Sequence, residues 1–341
     1  MSTAVYRITT ADEALDFECA AHESVLAAAE RAGWALPASC RAGVCGSCEG
    51  EVLSGTFVTP GRQDLGPQQE GPASAVKLCR VRPCSDLRIA PREVHRRDLA
   101  SEKVITAKVL RIERPAAEVA VLKLRFPAGV RAKFRAGQYL RVLLDDGQER
   151  SFSMADPPQQ SDGVELHIRY LEGGRFAEQV FHQLQPGDPV RLRLPLGDFY
   201  LRESEAPIVF VAGGTGFAPV QSILEELLKK GTQRRLHLYV GARTPELLYR
   251  HALAQRWADA GKTSYVPVVS AAAAADGGWS GRTGRVHEAV VEDLPDLSGH
   301  EVYACGSPAM VAAAREAFAQ RGLDPARFYC DAFAPSQDVA M

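Results

Sequence analysis

Four of the eight cysteines in this chain are clustered at a fixed spacing: Cys40, four residues, Cys45, two residues, Cys48, thirty residues, Cys79. A C-x4-C-x2-C run with a distant fourth cysteine is the plant-type ligand pattern for a 2Fe-2S cluster, and it constrains the surrounding fold closely. Four thiolates must surround two irons, so the loop RAGVCGSC has to wrap tightly enough to aim backbone N–H groups at sulfur. Gly43, Gly46 and Ser47 are small enough to allow that approach. Zinc also accepts four thiolates, but zinc sites usually pair two CxxC knuckles, and only one short pair occurs here. Within LCRVRPCSDL, Cys84 competes with Cys79 for the fourth place. Cys79 is preferred because it follows the strand at the expected position, and Cys84, Cys19 and Cys330 are read as structural.

A chain of 341 residues exceeds one hydrophobic core, so two or three domains are expected. The formal charge of −2 provides no basic footprint, and nucleic acid is not an expected partner. No apolar run is long enough to span a bilayer, and the N-terminus lacks a signal-peptide core, which predicts a cytoplasmic protein with no membrane partner. Cysteines clustered in such a chain favour metal over disulfides.

The pattern along the chain divides it into three. Residues 1–95 read as a small strand-and-helix ferredoxin domain of β-grasp type: strands at 4–9 and 15–20, a helix at 23–33, the cysteine loop, strand-like CEGEVLSG, a Pro/Gly/Gln-rich stretch from Pro60 to Pro72, and a closing strand near DLRI. The polar PREVHRRDLASEK is a linker. Residues 102–203 contain short alternating strands (KVITAKVLRIER, VAVLKLRF, QYLRVLL, VELHIRYL, DPVRLRLP) between Pro, Gly and Asp turns, which predicts an antiparallel barrel. Residues 204–341 alternate buried strands (PIVFVAG, RLHLYVG, SYVPVVS, HEVYACG) with helical segments, the signature of a parallel α/β sheet. The chain has no internal repeat, and AAAAADGG at 271–278 reads as a connector without chemistry.

In the barrel segment, RSFSMADPP puts Arg150 and Phe152 on one strand face with Ser153 beside them. A guanidinium suits a pyrophosphate and a flat aromatic suits a flavin ring; from these residues alone, a surface arginine beside a core phenylalanine is the better reading. Downstream, HIRYLEGGRF supplies Gly173 and Gly174 ahead of a helix whose N–H groups could bind phosphate. This order of motifs, across residues 102–341, resembles the ferredoxin-NADP reductase superfamily, with its RxYS and glycine-rich segment. The resemblance implies FAD, with Arg150 on the pyrophosphate, Phe152 stacked on the flavin and Ser153 near the reactive nitrogen N5. It also implies supporting cofactor contacts from Ser151, His167, Arg169, Gly173, Gly174, Arg175 and Phe176. FAD is favoured over FMN because the barrel follows an N-terminal ferredoxin domain. Phe152 replaces the family's tyrosine, and Ala177 stands where many relatives carry serine.

PIVFVAGGTGFAP is a buried strand, a glycine-rich turn and a helix start, a geometry that lets backbone N–H groups approach a pyrophosphate; it is not GxGxxG. It looks like the superfamily's nucleotide turn, which implies contacts from Gly213, Gly214, Thr215, Gly216 and Pro219. YACGSPAM resembles the family's CG.P.M, which places Cys305 beside the nicotinamide with Gly306, Ser307 and Pro308. In the terminal FYCDAFAPS, Asp331 takes the family's acidic position and Phe333 lies near the flavin. Ser153, Cys305 and Asp331 are thus the expected catalytic residues. Arg243 could pair with a 2'-phosphate and Glu246 with a ribose hydroxyl, so NADH is expected and NADPH stays open.

Taken whole, the order of ferredoxin, flavin barrel and nucleotide domain resembles the reductase components of multicomponent bacterial oxygenases, and its finer features resemble those of terephthalate-type aromatic dioxygenases. The implied activity is electron transfer from NAD(P)H through FAD and the 2Fe-2S cluster to a terminal oxygenase. A deoxysugar dehydratase is an alternative acceptor, and a redox sensor or zinc-binding interaction protein is a reading of another class. Residues 1–95 carry 12 acidic and nine basic side chains, a net −3, which suits a partner with an electropositive face.

Overall fold

A computed structural model describes residues 4–60, 68–97, 102–270 and 279–334. The connector at 271–278 and most of the 60–72 stretch lie outside them. The chain divides into two compact units, Met1–Ala100 and Ser101–Met341.

In the first unit, strands Asp16–Ala20, Val5–Thr10, Leu87–Pro91, Glu49–Ser54 and Ala73–Lys77 form one sheet in that order, with Val5–Thr10 and Leu87–Pro91 parallel. Helix Val25–Arg31 starts where the Ser24 side chain accepts from the Ala27 N–H at 3.2 Å, and it buries Val25, Leu26, Ala28 and Ala29. Its core partners include Ile8, Phe17, Trp34, Val52, Phe57, Leu87 and Ile89. Within the Pro/Gly/Gln-rich stretch, to which the sequence assigns no element, Gln68–Glu70 is a strand paired with Thr56–Val58. All three of its residues are exposed, so it has no buried face to leave a hydrophobic pattern in the sequence.

The second unit holds the other two cores. Six antiparallel strands run in the order Glu149–Ser153, Tyr139–Leu143, Pro189–Leu196, Lys103–Ala116, Val119–Arg125, Gly163–Arg169. A bridge between Met154 and Leu166 joins the two ends and closes the barrel. Helix Arg175–His182 buries Phe176, Ala177, Val180 and Phe181 against the barrel core.

Beyond it lies a six-stranded, all-parallel sheet in the order Arg282–Thr283, Ser264–Val269, Leu236–Ala242, Ile208–Gly213, Glu301–Gly306, Phe328–Ala332. Ile208–Gly213 is central, which explains its unbroken apolar run. The chain leaves this strand for one neighbour and returns later on its other side, so a topological switch point lies between Ile208–Gly213 and Glu301–Gly306. Open sheets of this kind bind ligands beyond the carboxyl ends of their strands at such a point. No helix among the described residues is long and apolar enough to cross a membrane.

Candidate functional site

Backbone hydrogen bonds bring the four cysteines together. Glu49–Ser54 pairs with Ala73–Lys77, Glu49 opposite Lys77, so the residues flanking this pair, Cys48 and Leu78, meet where the Leu78 N–H donates to the Cys48 carbonyl at 3.0 Å. Leu26 N–H, at the start of the helix, donates to the Leu78 carbonyl at 3.2 Å, and Val25 N–H to Val81 at 2.9 Å. Cys79 is thereby fixed between the helix and the cysteine loop. All four thiols are buried.

The sulfurs associate as two pairs, Cys40 with Cys45 and Cys48 with Cys79. The N–H groups of Ala42 and Cys45 each donate to Cys40 Sγ at 3.4 Å, Ser47 Oγ lies 3.3 Å from Cys45 Sγ, and the Gly43 N–H serves Cys79. Gly43 needs both its positive φ of 77° and its missing side chain, because a Cβ would come within 2.7 Å of Arg80 Cγ. The Cys45 thiol and burial push Cys40 up to about 12, whereas the Cys48 hydrogen bond lowers Cys79. Among the described residues no group of three or more ligand-type side chains is placed for a single ion. The four thiols, served by backbone donors, would hold the binuclear cluster that their spacing specifies. Cys84 stands apart and half-buried, its N–H bonded to the Thr56 carbonyl at 2.8 Å.

In the second unit, the barrel and the parallel sheet meet at Ser153. Its buried hydroxyl donates to Asp331 Oδ2 at 3.2 Å, and the Cys305 thiol donates to the Asp331 carbonyl at 3.2 Å. Cys305 and Asp331 are directly opposite on adjacent strands, and Cys305 pairs with Ala212 on the other side. The three residues expected to be catalytic therefore come together at the switch point. Burial pushes the Cys305 thiol well above its ordinary range, so it is a neutral S–H.

Gly216 sits against this strand end: a Cβ there would fall 2.2 Å from the Cys305 carbonyl oxygen. Gly214–Gly216 is one turn of 3-10 helix leading into helix Phe217–Lys229, which contains the buried Pro219. Ser307 caps helix Pro308–Ala319 by accepting from the Met310 N–H at 3.2 Å, and the Phe333 N–H donates to the Gly306 carbonyl at 2.8 Å.

On the barrel side, the half-buried Phe152 ring lies 5.3 Å from Phe176, tilted by 52°. Arg150 bonds Gln148 Oε1 at 2.5 Å and the Glu149 carbonyl at 3.1 Å. Ser151 is exposed, as is Arg175, which pairs with Asp146. Gly174 leads helix Arg175–His182 with no side-chain cap, leaving its first N–H groups available to an anion.

The structure does not bring two of the expected residues into this group. His167 is buried with both ring nitrogens engaged, by Tyr249 Oη at 2.8 Å and Glu165 Oε1 at 3.1 Å. Arg169 bonds Glu118 at 3.2 Å, and Glu118 also takes Arg243 at 2.7 Å. Conversely, Glu165, Arg250, Tyr249 and Glu118 escaped the sequence reading. Glu165 and His167 alternate with Val164, Leu166 and Ile168, the ordinary mark of a solvent face, but here the nucleotide domain covers it.

Burial pushes Glu165 up, but His167, Arg250 and Lys123 outweigh it and hold this carboxylate at about 2. Its contribution to stability should be complete above its ordinary value of 4.5 and be lost as pH falls towards 2. Urea unfolding should therefore show the deficit of Glu165→Gln shrinking between neutral pH and about pH 3; an unchanged gap would contradict this.

Comparison with known proteins agrees with this geometry. Residues 8–84 match the family of 2Fe-2S iron-sulfur cluster binding domains, residues 106–200 the oxidoreductase FAD-binding domain and residues 210–316 the oxidoreductase NAD-binding domain. The chain is 40% identical to reductase component 1 of terephthalate 1,2-dioxygenase from a Comamonas species, covering 97% of this chain and 98% of the relative. It is 38% identical to the CDP-6-deoxy-L-threo-D-glycero-4-hexulose-3-dehydrase reductase of Yersinia pseudotuberculosis, covering 88% and 89%. Among solved structures, a cytochrome P450 reductase from Amycolatopsis superposes with a TM-score of 0.69 at 28% identity over 97% of this chain and 99% of that one. The chain belongs to the family of iron-sulfur flavoprotein reductases, built from 2Fe-2S, FAD-binding and NAD-binding domains, that supplies the reductase components of multicomponent oxygenases.

Proposed function

We propose that this protein is the NADH-dependent reductase of an aromatic ring-hydroxylating dioxygenase, moving electrons from NADH through FAD and the 2Fe-2S cluster to the oxygenase. The meeting of Ser153, Asp331 and Cys305 at the barrel–sheet junction carries the reading. Bound FAD supplies the conversion between a two-electron hydride donor and a one-electron cluster. Cys40, Cys45, Cys48 and Cys79 hold the cluster. Arg150 and the helix start at Gly174 would hold the flavin pyrophosphate, and Phe152, backed by Phe176, would offer its ring for stacking where the family has tyrosine. The turn Gly213–Gly216 receives the nucleotide pyrophosphate. Ser153 places its hydroxyl at the reacting edge, oriented by Asp331, and the neutral Cys305 thiol lines the same chamber without bringing charge to it. NADH as electron source and four thiols that must stay reduced suit a cytoplasmic protein.

Preference for NADH follows from Glu118, whose carboxylate holds Arg243 at 2.7 and 2.9 Å and so competes with any 2'-phosphate. Glu118→Gln should raise kcat/KM for NADPH about two- to fivefold, the scale of one exposed ion pair, with little change for NADH. Steady-state kinetics with both coenzymes checks this, and an unchanged ratio would refute it.

The primary test is the absorption spectrum of the purified protein: flavin and iron-sulfur bands that bleach on adding NADH support the reading, and a colourless protein refutes it. Oxygen uptake with candidate oxygenases and a panel of aromatic acids then identifies the acceptor. The 38% identity to a deoxysugar dehydrase reductase makes such a dehydratase the second acceptor to assay.

A further inference from the structure

The barrel grips the nucleotide domain through a buried polar chain that touches none of the residues assigned to a cofactor except His167. It starts on barrel strand Gly163–Arg169, where Glu165 and His167 share the face turned to the nucleotide domain. Arg250 Nη2 donates to Glu165 Oε1 at 2.7 Å, the His167 ring bonds Glu165 at 3.1 Å, and Tyr249 Oη lies 2.8 Å from His167 Nδ1. Burial keeps His167 neutral. A neutral imidazole with Nε2–H on the carboxylate must accept at Nδ1, so the Tyr249 hydroxyl is the donor there. Beside them, Lys123 pairs with Asp156, whose carbonyl accepts from Ser222 Oγ at 2.6 Å. Two buried carboxylates, Glu165 and Asp156, thus each face a half-buried cation, Arg250 and Lys123.

The elements held are the ones that carry the nucleotide site. Ser222 lies on helix Phe217–Lys229, directly after the Gly213–Gly216 turn. The Tyr249 ring stands edge-on to Phe217, the first residue of that helix, at 6.2 Å and 73°, and Tyr249 lies within electrostatic reach of Cys305. A buried ionic network adds little net stability compared with apolar packing, but it fixes geometry, because every partner has a required position. Hydride transfer is sensitive to such placement.

We propose that Tyr249 is a positioning residue for hydride transfer: through His167 and Glu165 its hydroxyl ties the nucleotide turn to the flavin barrel and sets the nicotinamide against the flavin. This rests on the function proposed above and names the side chains that set its central distance. Tyr249→Phe removes one hydroxyl and keeps the ring. In rapid-mixing experiments on the holoprotein it should slow NADH-driven flavin reduction about tenfold, the scale of one buried hydrogen bond. The NADH concentration for half-maximal rate should change by less than about twofold, because the contacts that bind the coenzyme stay in place. Chemical reduction of flavin and cluster by dithionite should match the wild type, and Tm should fall by only about 2–4 °C, the scale of one lost hydrogen bond. Glu165→Gln should slow the same step, and the double variant should be no slower than the worse single one. A wild-type reduction rate in Tyr249→Phe, additive effects in the double variant, or a loss in Tyr249→Phe matched by a larger fall in Tm and by poor dithionite reduction would each overturn the proposal. A wild-type protein that takes no electrons from NADH would instead refute the underlying function.

Discussion

Replacing Cys79 by alanine is expected to abolish reduction of the partner protein while NADH-driven reduction of a small acceptor that takes electrons from the flavin stays near the wild-type rate. The split follows from the division of the chain: Cys79 belongs to the first unit, and the Ser153, Asp331 and Cys305 group to the second. Loss of Cys79 would leave the cluster with three of its four thiolate ligands. Cys84 offers no substitute. It is five residues on, past the strand Arg82–Pro83, and tied by its N–H to the Thr56 carbonyl at 2.8 Å. Moving it to the Cys79 position would break the bonds by which Leu78 holds Cys48 and the helix. The check is loss of the iron-sulfur absorbance and of partner reduction, assayed beside ferricyanide reduction. An unaltered partner rate would sink the cluster's assigned place, and loss of both activities would mean that the units are not independent. Cys84→Ala should leave both rates unchanged.

Much of this arrangement was legible in the sequence because it is written in local patterns. The cysteine spacing specifies the loop, the alternating strands specify the barrel and the unbroken apolar run Ile208–Ala212 specifies a central parallel strand. The choice between Cys79 and Cys84 was harder to read, since both follow β-type residues. Long-range bonds from Leu26 and to Cys48, which no local pattern encodes, favour Cys79. The same limit applies to His167, expected to contact the cofactor: the structure engages its ring with Tyr249 and Glu165 at the domain junction. Its strand looks like any half-exposed barrel strand, and only the docking of Tyr249 and Arg250, more than 80 residues later, turns the polar face into a buried one. Charges buried by tertiary docking leave no periodicity of their own. Short strands such as Arg282–Thr283 are invisible for a related reason, since two residues cannot show an alternation.

Gly216→Ala should cut NADH-driven flavin reduction by about a hundredfold or more, the scale reported for ångström-level misplacement of reacting groups, with FAD and the cluster still bound. A Cβ at Gly216 would stand 2.2 Å from the Cys305 carbonyl oxygen, 2.5 Å from its carbon and 2.8 Å from the Gly306 nitrogen. These are backbone atoms of the central sheet, so no side-chain rotation relieves the clash. Either the turn lifts away from the strand end or Cys305 moves, and both separate the nucleotide turn from the Ser153–Asp331 pair. Gly214 is the internal control: nothing lies within 4 Å of a Cβ there, although its φ of +54° disfavours a side chain. Gly214→Asn, which tolerates that backbone region, should therefore cost the fold little and weaken NADH binding only through crowding of the turn. Rapid-mixing kinetics and dithionite titration separate the cases. If Gly216→Ala reduces its flavin at the wild-type rate, the turn does not set the hydride-transfer distance. If dithionite also fails to reduce the flavin, the substitution has unmade the barrel site as well, and the nucleotide domain does more than deliver NADH: it completes the flavin pocket.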